Sequence, residues 1–488
     1  MNWRCVGTLL AVAMFGGTAA RAQAGAGRCD IELRPANDSL RLTSTTTTPN
    51  GPRNVFIGGR VEARCLNQDV RLLADSAEWY QGAQVLYLIG HVRYTEPRVR
   101  VTSDQMNYFQ VDERLVATGN VEATLPSGSI MRGPQATYYR AVKGFRPVSR
   151  LEALQRPRLW LAQRDTSGKA SEPVQVTANQ ITTENDSLVY AGGQVEITRS
   201  DLDAQSDSAF LDSGNELARL MRKPVVIGKG ERSYTLHADQ IELYTKNRIV
   251  QRVLSQGTAR ATSTDMLLTG DTIDLRVDQN KAQAAYIWGK SRARAVSPDR
   301  DLIADSLAVR MPNQRLHEVR AFRLAVANTL PDTANIRSGE KDWLKGDTIF
   351  AYFDTLPRPR TVSADTATAK PQLRELQSIG HASARYQMAT QTSTPSRPGI
   401  NYSRGDRITV TMDSTGVSRV QIDEHAVGLY LEPVRDSTLA PPESQPQPDS
   451  TRPSGSTTIP TPTKPTPAAT RPTAKPAATV PRTTPARP

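Results

Sequence analysis

The stretch VTSDQMNYFQVDERLVATGNV, residues Val101–Val121, contains one full copy of a unit that recurs ten times between residues 70 and 415. The unit opens with an apolar residue, a spacer, a small residue and, in most copies, Asp. In this copy the three positions are Val101, Ser103 and Asp104. A second apolar run begins three residues after the small one, and a Gly-x-Val step follows later, here at Gly119. The unit accounts for most of the chain.

The openings of the ten copies share one pattern. Their small residues are Ala74, Ser103, Gly133, Ala178, Ser206, Ala238, Gly270, Ala304, Gly346 and Gly405. Asp follows in eight copies, and the turn formers Pro134 and Asn179 replace it in the other two. Apolar residues recur at every second position, the period of a β-strand, but the step of three across the Asp breaks that phase. A strand that changes parity bulges or turns a corner, and Asp, Asn, Gly and Pro tolerate such bends.

Each unit therefore predicts a strand, a corner, a second strand and a return strand. A repeat of about thirty residues indicates stacked units rather than a single closed core. We predict an all-β fold of stacked strands over residues 55–432. The pattern leaves open whether the strands form a jellyroll or a wound solenoid, and whether there is one unit or two fused units divided near residues 200–235. The longer intervals between copies predict loops at Gly144–Glu172, Asn328–Asp342, Leu356–Pro371 and Thr392–Pro398.

Both ends of the chain differ in composition from the repeats. Residues 1–24 have the pattern of a secretory signal, with Arg4, an apolar core at Val6–Phe15 and A-x-A cleavage motifs. The apolar core is too short to span a bilayer comfortably, so we expect an exported, periplasmic protein. Residues 433–488 are dominated by Pro, Thr, Ser and Ala, which predicts a disordered tail because such a segment cannot bury enough apolar surface to fold. Whether this tail is a spacer or reaches a partner is open.

Residues 25–54, which lie between the signal and the repeats, are polar and rich in Thr, and are predicted to be a leader. Cys29 lies in this leader and Cys65 in the first strand region. In an oxidising compartment the two form a disulfide that fastens the leader to the first strand; the alternative is two separate buried thiols.

The composition argues against several classes of function. The chain of 488 residues has a formal net charge of +12, but its basic residues are interspersed with acids and it is expected to be exported, so we expect no nucleic-acid partner. The five His and three Cys are scattered, and no nucleophile elbow or phosphate loop occurs, so we expect no metal, no cofactor and no enzymatic activity. The recurring Asp favours a structural role, because catalytic groups gather at one site rather than in every repeat.

The Gly-x-Val steps carry a family resemblance. They occur at Gly90-His91-Val92, Gly119-Asn120-Val121 and Gly193-Gln194-Val195. Together with the small-Asp openings, they resemble the OstA-like family, which includes the periplasmic lipopolysaccharide-transport protein A, over about residues 55–432. The resemblance implies a stacked antiparallel β-jellyroll, open along one side, whose apolar trough carries the acyl chains of lipopolysaccharide. It also implies pairing of strand edges with inner-membrane and outer-membrane transport components and end-to-end self-association.

This chain has about twice the usual number of repeats and a Pro/Thr tail. It also lacks a following segment long enough for a transmembrane barrel, which argues against the outer-membrane assembly role. The predicted docking edges are Val55–Leu73 and Arg407–Leu431.

Parity around the Gly-x-Val steps predicts which side chains face inward. On the trough interpretation, the inward row that binds lipid is Leu86, Leu88, Val92, Leu115, Ala117, Val121, Ala123, Val189, Val195, Ile197 and Ile287. The alternative is that this row is ordinary core. A rim that meets lipid phosphates is predicted at Arg93, Arg98, Arg100, Arg132 and Arg140, and the alternative is a solvated basic surface. A structural or adhesive β-solenoid with no lipid cargo remains the rival function.

Overall fold

The computed structural model describes most of residues 27–433. The described ranges are 27–35, 41–46, 49–66, 68–164, 170–230, 233–247, 249–264, 266–331, 336–354, 371–389, 397–413 and 416–433. The predicted signal segment and nearly all of the predicted tail lie outside these ranges, as do most of Leu356–Pro371 and Thr392–Pro398. Within the described ranges, no helix has the length and apolar character needed to cross a membrane.

Thirty strands are described, and all belong to one antiparallel sheet. In chain order they begin with β1 (Ile31–Pro35), β2 (Arg41–Thr46), β3 (Arg53–Cys65), β4 (Arg71–Tyr80), β5 (Val85–Thr95), β6 (Arg100–Phe109), β7 (Arg114–Thr124), β8 (Ile130–Tyr139), β9 (Arg150–Leu154) and β10 (Arg158–Arg164). They continue with β11 (Ala170–Thr177), β12 (Gln180–Glu184), β13 (Leu188–Thr198), β14 (Leu202–Asp212), β15 (Leu217–Met221), β16 (Val225–Gly228), β17 (Tyr234–His237), β18 (Gln240–Lys246), β19 (Ile249–Ser263) and β20 (Leu267–Asp278). The last ten are β21 (Lys281–Trp288), β22 (Ala293–Val296), β23 (Arg300–Ala304), β24 (Ser306–Arg310), β25 (Glu318–Thr329), β26 (Asp342–Phe353), β27 (Leu373–Met388), β28 (Gly399–Asp413), β29 (Gly416–Asp423) and β30 (Val427–Leu431). The predicted all-β repeat fold is confirmed.

The predicted corners are places where the ladder is interrupted. Between β6 and β7 the pairing stops after Thr102 and resumes at Gln105. In the gap, Ser103 and Asp104 face the three residues Gly119–Val121. A similar interruption, or the end of one strand and the start of the next, occurs at all ten predicted corners. The change of parity in the sequence therefore marks a bulge between neighbouring strands, as expected.

The corners divide the sheet into two arms. Arm A holds the strand halves that precede a corner Asp or follow a Gly-x-Val step, and arm B holds the other halves. In β6, residues 100–103 belong to arm A and residues 105–109 to arm B. Each arm pairs with the same arm of the next strand. Tyr94 of arm A and Tyr138 of arm B lie with ring centroids 6.1 Å apart, so the inner faces of the two arms meet.

Several boundaries differ from the expectation. The leader is not a separate segment, because β1 and β2 lie within it and pair with β3. The interval Gly144–Glu172 is not a loop, because it contains β9 and β10, which pair with β8. The ladder continues through residues 200–235, from β14 to β16 and from β16 to β17. The predicted disulfide is present: Cys29 and Cys65 are bonded, with their Cα atoms 5.2 Å apart, and the bridge ties the segment before β1 to β3.

Candidate functional site

The corner Asp side chains have structural partners. Oδ2 of Asp104 accepts a hydrogen bond of 2.8 Å from the side-chain nitrogen of Asn120, the middle residue of the Gly-x-Val step. His91 makes the equivalent contact with Asp75 through Nδ1, at 2.7 Å. This hydrogen bond, with the negative charge of Asp75, raises the pKa of His91. The repeated Asp is therefore explained by the corner that it holds together.

The interior between the arms is packed differently along the chain. The largest fully buried side chains are Tyr94, Tyr108, Leu72, Leu86, Leu88, Met106, Leu115, Met131, Leu151, Leu159, Ile181 and Leu220. All of these except Leu220 lie between residues 72 and 181. The part of the interior built from β4 to β12 is thus filled by large side chains of the protein itself.

Two adjoining apolar grooves lie between the arms from β17 to β27. We call them together the interarm groove. Their volumes, including the space at the open mouth, are about 910 Å³ and about 820 Å³. Both are lined by Thr264, Met266, Leu316 and Pro371, so these four residues lie where the two grooves adjoin. On arm A the lining residues lie on six successive strands, β17, β19, β20, β22, β23 and β25. Five strand spacings of about 4.8 Å give this groove a length of about 24 Å.

Small side chains from both arms contribute to the lining of the interarm groove. Six alanines line it, three from each arm: Ala261, Ala295 and Ala327 from arm A, and Ala282, Ala285 and Ala351 from arm B. The lining of this gap between the arms also includes Leu268, Leu302 and Phe353. Such a gap is apolar on both sides, so a hydrocarbon fits it better than water does.

A third groove lies nearer the middle of the chain. It has a volume of about 1060 Å³ and is lined by residues from Ser127 to Val250. At one edge the two arms are joined, because the backbone nitrogen and hydroxyl of Ser127, in an arm A turn, donate to the carboxylate of Asp186, in an arm B turn. Burial raises the pKa of Asp186, although the two hydrogen bonds from Ser127 oppose that shift.

All eleven residues predicted to face inward are buried, with at most 5% of their surface exposed, and their binding of lipid stays a prediction. Val189 and Ile197 line the third groove. All eleven, including these two, belong to the hydrophobic core cluster. The alanine-rich lining of the interarm groove was missed, because its copies have weak Gly-x-Val steps such as Gly257-Thr258-Ala259. The alternation of Ala and polar residues there is the signal that points to it.

The predicted rim arginines do not share one location. Arg93, Arg100 and Arg132 are exposed on the outer face of arm A, and Arg98 lies in a turn beside a polar cavity. The prediction that Arg140 lies at the rim is wrong, because only 3% of its side chain is exposed. It is enclosed by Glu113 at 2.5 Å and Glu96 at 3.3 Å, so it cannot contact a phosphate at the rim.

No protein-family model matches the chain, and no curated protein matches it. Among the described residues, no group of three or more His, Cys, Asp or Glu side chains is arranged to hold a metal ion. The interarm groove, with its apolar lining, is therefore the candidate functional site.

Proposed function

We propose that this protein is a non-enzymatic carrier that shields the acyl chains of an amphipathic lipid, lipopolysaccharide by resemblance, between the arms of its folded sheet. The protein acts in the periplasm and passes the lipid toward the outer membrane. The observation that carries the proposal is the interarm groove, which apolar side chains of both arms line.

The dimensions and energetics of the groove support this function. A bilayer core of about 30 Å holds two acyl chains end to end, so one chain needs about 15 Å, and a groove of about 24 Å accommodates it. Each buried CH₂ group gains about 0.8 kcal/mol, so ten of them gain about 8 kcal/mol. Burial in the groove therefore offsets the free-energy cost that the acyl chain would have on leaving the membrane for water.

The exposed end of the sheet supports a protein partner. All five residues of β30 are exposed, including Val427, Leu429 and Tyr430. Among the described residues, β29 and β30 each pair with β28 and with no other strand. The second edge of each strand is therefore free for strand pairing. At the other end the edge consists of β1 and β2 rather than the predicted Val55–Leu73, because β3 and β4 have neighbours on both sides. We propose that the β29–β30 edge joins a transport component or a second copy.

Photo-crosslinking in growing cells tests the lipid cargo. A benzophenone amino acid replaces Ala285, which lines the groove, or its neighbour Tyr286, which is 43% exposed on the outer face. An adduct with lipopolysaccharide at position 285 and none at 286 supports the proposal. No adduct at 285, or equal adducts at both positions, in a folded and exported protein contradicts it.

The rival function is a structural or adhesive β-solenoid without lipid. The filled interior between β4 and β12 is the observation that favours it, because stacking alone explains such packing. This rival predicts that filling the groove, for example with Ala285→Phe, leaves the protein's role in the cell unchanged. The carrier predicts that the same variant, with the fold intact, loses lipid adducts at a second groove position such as Ala327.

A further inference from the structure

Polar side chains from both arms meet in the interior built from β5 to β8, at the ends of the arms that lie away from the corners. We call this group the clasp; its members are Tyr94, Glu96, Tyr108, Glu113, Tyr138 and Arg140. An ionic cluster inside an otherwise apolar interior is costly unless its members satisfy one another. Ordinary core packing therefore does not explain the clasp.

Glu96 ties one side of the clasp together. It lies in the turn between β5 and β6, at the end of arm A. Its carboxylate accepts hydrogen bonds from the hydroxyl of Tyr94, at 2.8 Å on its own arm, and from the hydroxyl of Tyr138 on arm B. Arg140, which follows β8 on arm B, also donates to it at 3.3 Å. Two of these three bonds cross from one arm to the other.

Glu113 holds the other side. It lies in the turn between β6 and β7, at the end of arm B, and is fully buried. Its carboxylate accepts hydrogen bonds from Nη1 of Arg140, at 2.5 Å, and from the hydroxyl of Tyr108. It also accepts a hydrogen bond of 2.5 Å from the backbone nitrogen of Cys29. Cys29 precedes β1 on arm A. Because Cys29 is bridged to β3, this bond anchors arm B to the disulfide-linked edge of arm A.

Electrostatics keep the clasp charged. Burial opposes the charge of Arg140, but the surrounding Tyr94, Tyr108, Glu96 and Glu113 raise its pKa above the ordinary value. Burial raises the pKa of the Tyr94 and Tyr138 hydroxyls well above their usual range, so both remain donors. The cluster stays a set of matched donors and acceptors, and an acyl chain that entered it would leave these groups without partners.

We propose that the clasp, together with the large side chains that fill the interior from β4 to β12, closes this N-terminal part of the interior to lipid, so that the space open to lipid is blind there and opens only through its C-terminal part. This inference rests on the proposed lipid-carrying function. Acyl chains occupy the interval from β17 to β27, and they enter and leave on that side. The protein then stands at one end of a lipid path, because a segment in the middle of such a path would need a passage through both ends.

Labelling of the purified full-length protein tests this directly. The probe is a C16 fatty acid with a terminal diazirine, and the labelled residues are mapped by mass spectrometry after illumination. We expect adducts on the groove lining from β17 to β27, for example at Ala285 and Ala327, and at least tenfold fewer on inward residues of β4 to β8, for example Leu88 and Leu115. Comparable adducts in both regions overturn the blind end but leave the carrier function standing. Absence of adducts everywhere overturns both the carrier function and the inference that rests on it.

A variant shows whether the clasp is the barrier. The double change Tyr138→Phe and Arg140→Met removes both bonds from arm B to Glu96, and we expect adducts to extend to Leu88 and Leu115. The matched control is Arg132→Met, which breaks an exposed pair with Glu122 on the outer face. Labelling in the folded double variant that stays within β17 to β27 overturns the role of the clasp. If the double variant does not fold, Tyr138→Phe alone, which keeps the ring and removes one cross-arm bond, gives the same readout.

Discussion

The side chain of Asp104 occupies the space that a side chain on Gly119 would need. A β-carbon at Gly119 would lie 2.9 Å from the Cβ of Asp104, and the Oδ2 atom of Asp104 would be closer still. Gly119 also has a φ of 76°, in the left-handed region. The two motifs of the repeat, small-Asp and Gly-x-Val, are thus the two sides of one contact between neighbouring strands. The same contact recurs in the pairs Gly90 and Asp75, Gly257 and Asp239, and Gly380 and Asp347.

Gly119→Ala tests this contact through the free energy of unfolding in urea. The left-handed backbone costs a non-glycine residue about 1–2 kcal/mol, and overpacking adds about 1–3 kcal/mol. We expect a total loss of roughly 2–4 kcal/mol. Asp104→Ala removes the carboxylate, so the double variant should lose less than the sum of the two single variants.

Two other glycines separate the contributions. Gly144 has the same φ of 76° but nothing within 4 Å of its β-carbon position, so Gly144→Ala measures the backbone strain alone. Gly58 also has open space around it and is not in the left-handed region, so Gly58→Ala should have little effect. If Gly119→Ala costs no more than Gly144→Ala, the Asp104 side chain does not restrict the corner.

The corner histidines predict a pH dependence. Hydrogen bonds to Asp75, Asp347 and Asp406 raise the pKa values of His91, His381 and His425. A raised folded-state pKa means that the contact stabilises the fold fully below the ordinary histidine value of about 6.5 and loses its effect as the pH rises through the folded value. In an NMR titration of the ring protons, all three histidines should titrate above that value.

Asp75→Asn provides the control for this assignment. It removes the negative charge beside His91, so the pKa of His91 should fall toward its ordinary value. His381 and His425 contact other carboxylates and should be unchanged. A pKa of His91 that does not move in this variant would show that Asp75 is not the cause of the shift.

The corners could be predicted because neighbouring residues in the sequence determine them. The Asp and its Gly lie on adjacent strands, and the change of strand parity is visible within a few residues, as at Ser103 and Met106. The inward row followed from the same parity. What parity does not show is which inward side chains from the two arms face each other, because that depends on how the sheet folds along its corners.

The interarm groove and the clasp both depend on that folding. Tyr138 and Glu96 are 42 positions apart, and no local pattern connects them. Arg140 was expected at a rim that meets lipid phosphates, because Lys and Arg are in excess in the chain. Two acids on opposite arms enclose it instead. The strands β1 and β2 were missed for a similar reason: their polar, Thr-rich sequence carries little alternation, and their pairing partner β3 determines their structure.

The disulfide between Cys29 and Cys65 should contribute strongly to stability. It closes a loop with a sequence separation of 36, for which the chain-entropy model gives roughly 3–4 kcal/mol. Replacing both residues with Ala should lower the free energy of unfolding by about this amount, and a reductant should have the same effect on the native protein. The double Ala variant is its own control, because reductant should leave it unchanged. Equal stability of the native protein with and without reductant would contradict this prediction.

The clasp predicts strong coupling between Glu113 and Arg140. Each single variant, Glu113→Gln or Arg140→Met, leaves a buried partner uncompensated and should cost about 3–5 kcal/mol in the free energy of unfolding. The double variant removes both charges and should recover roughly 1–3 kcal/mol relative to the sum. The matched control is the exposed pair Arg132 and Glu122, whose side chains are 57% and 39% exposed and whose coupling should stay below about 1 kcal/mol.

Additive costs at Glu113 and Arg140 would mean that the two do not act as a pair across the closed end. Coupling as small as that of the control would mean that water reaches the clasp. A large coupling at the buried pair alone, measured on variants that retain the Cys29 disulfide, is the result that the closed interior requires, because only charges shielded from water interact so strongly across the two arms.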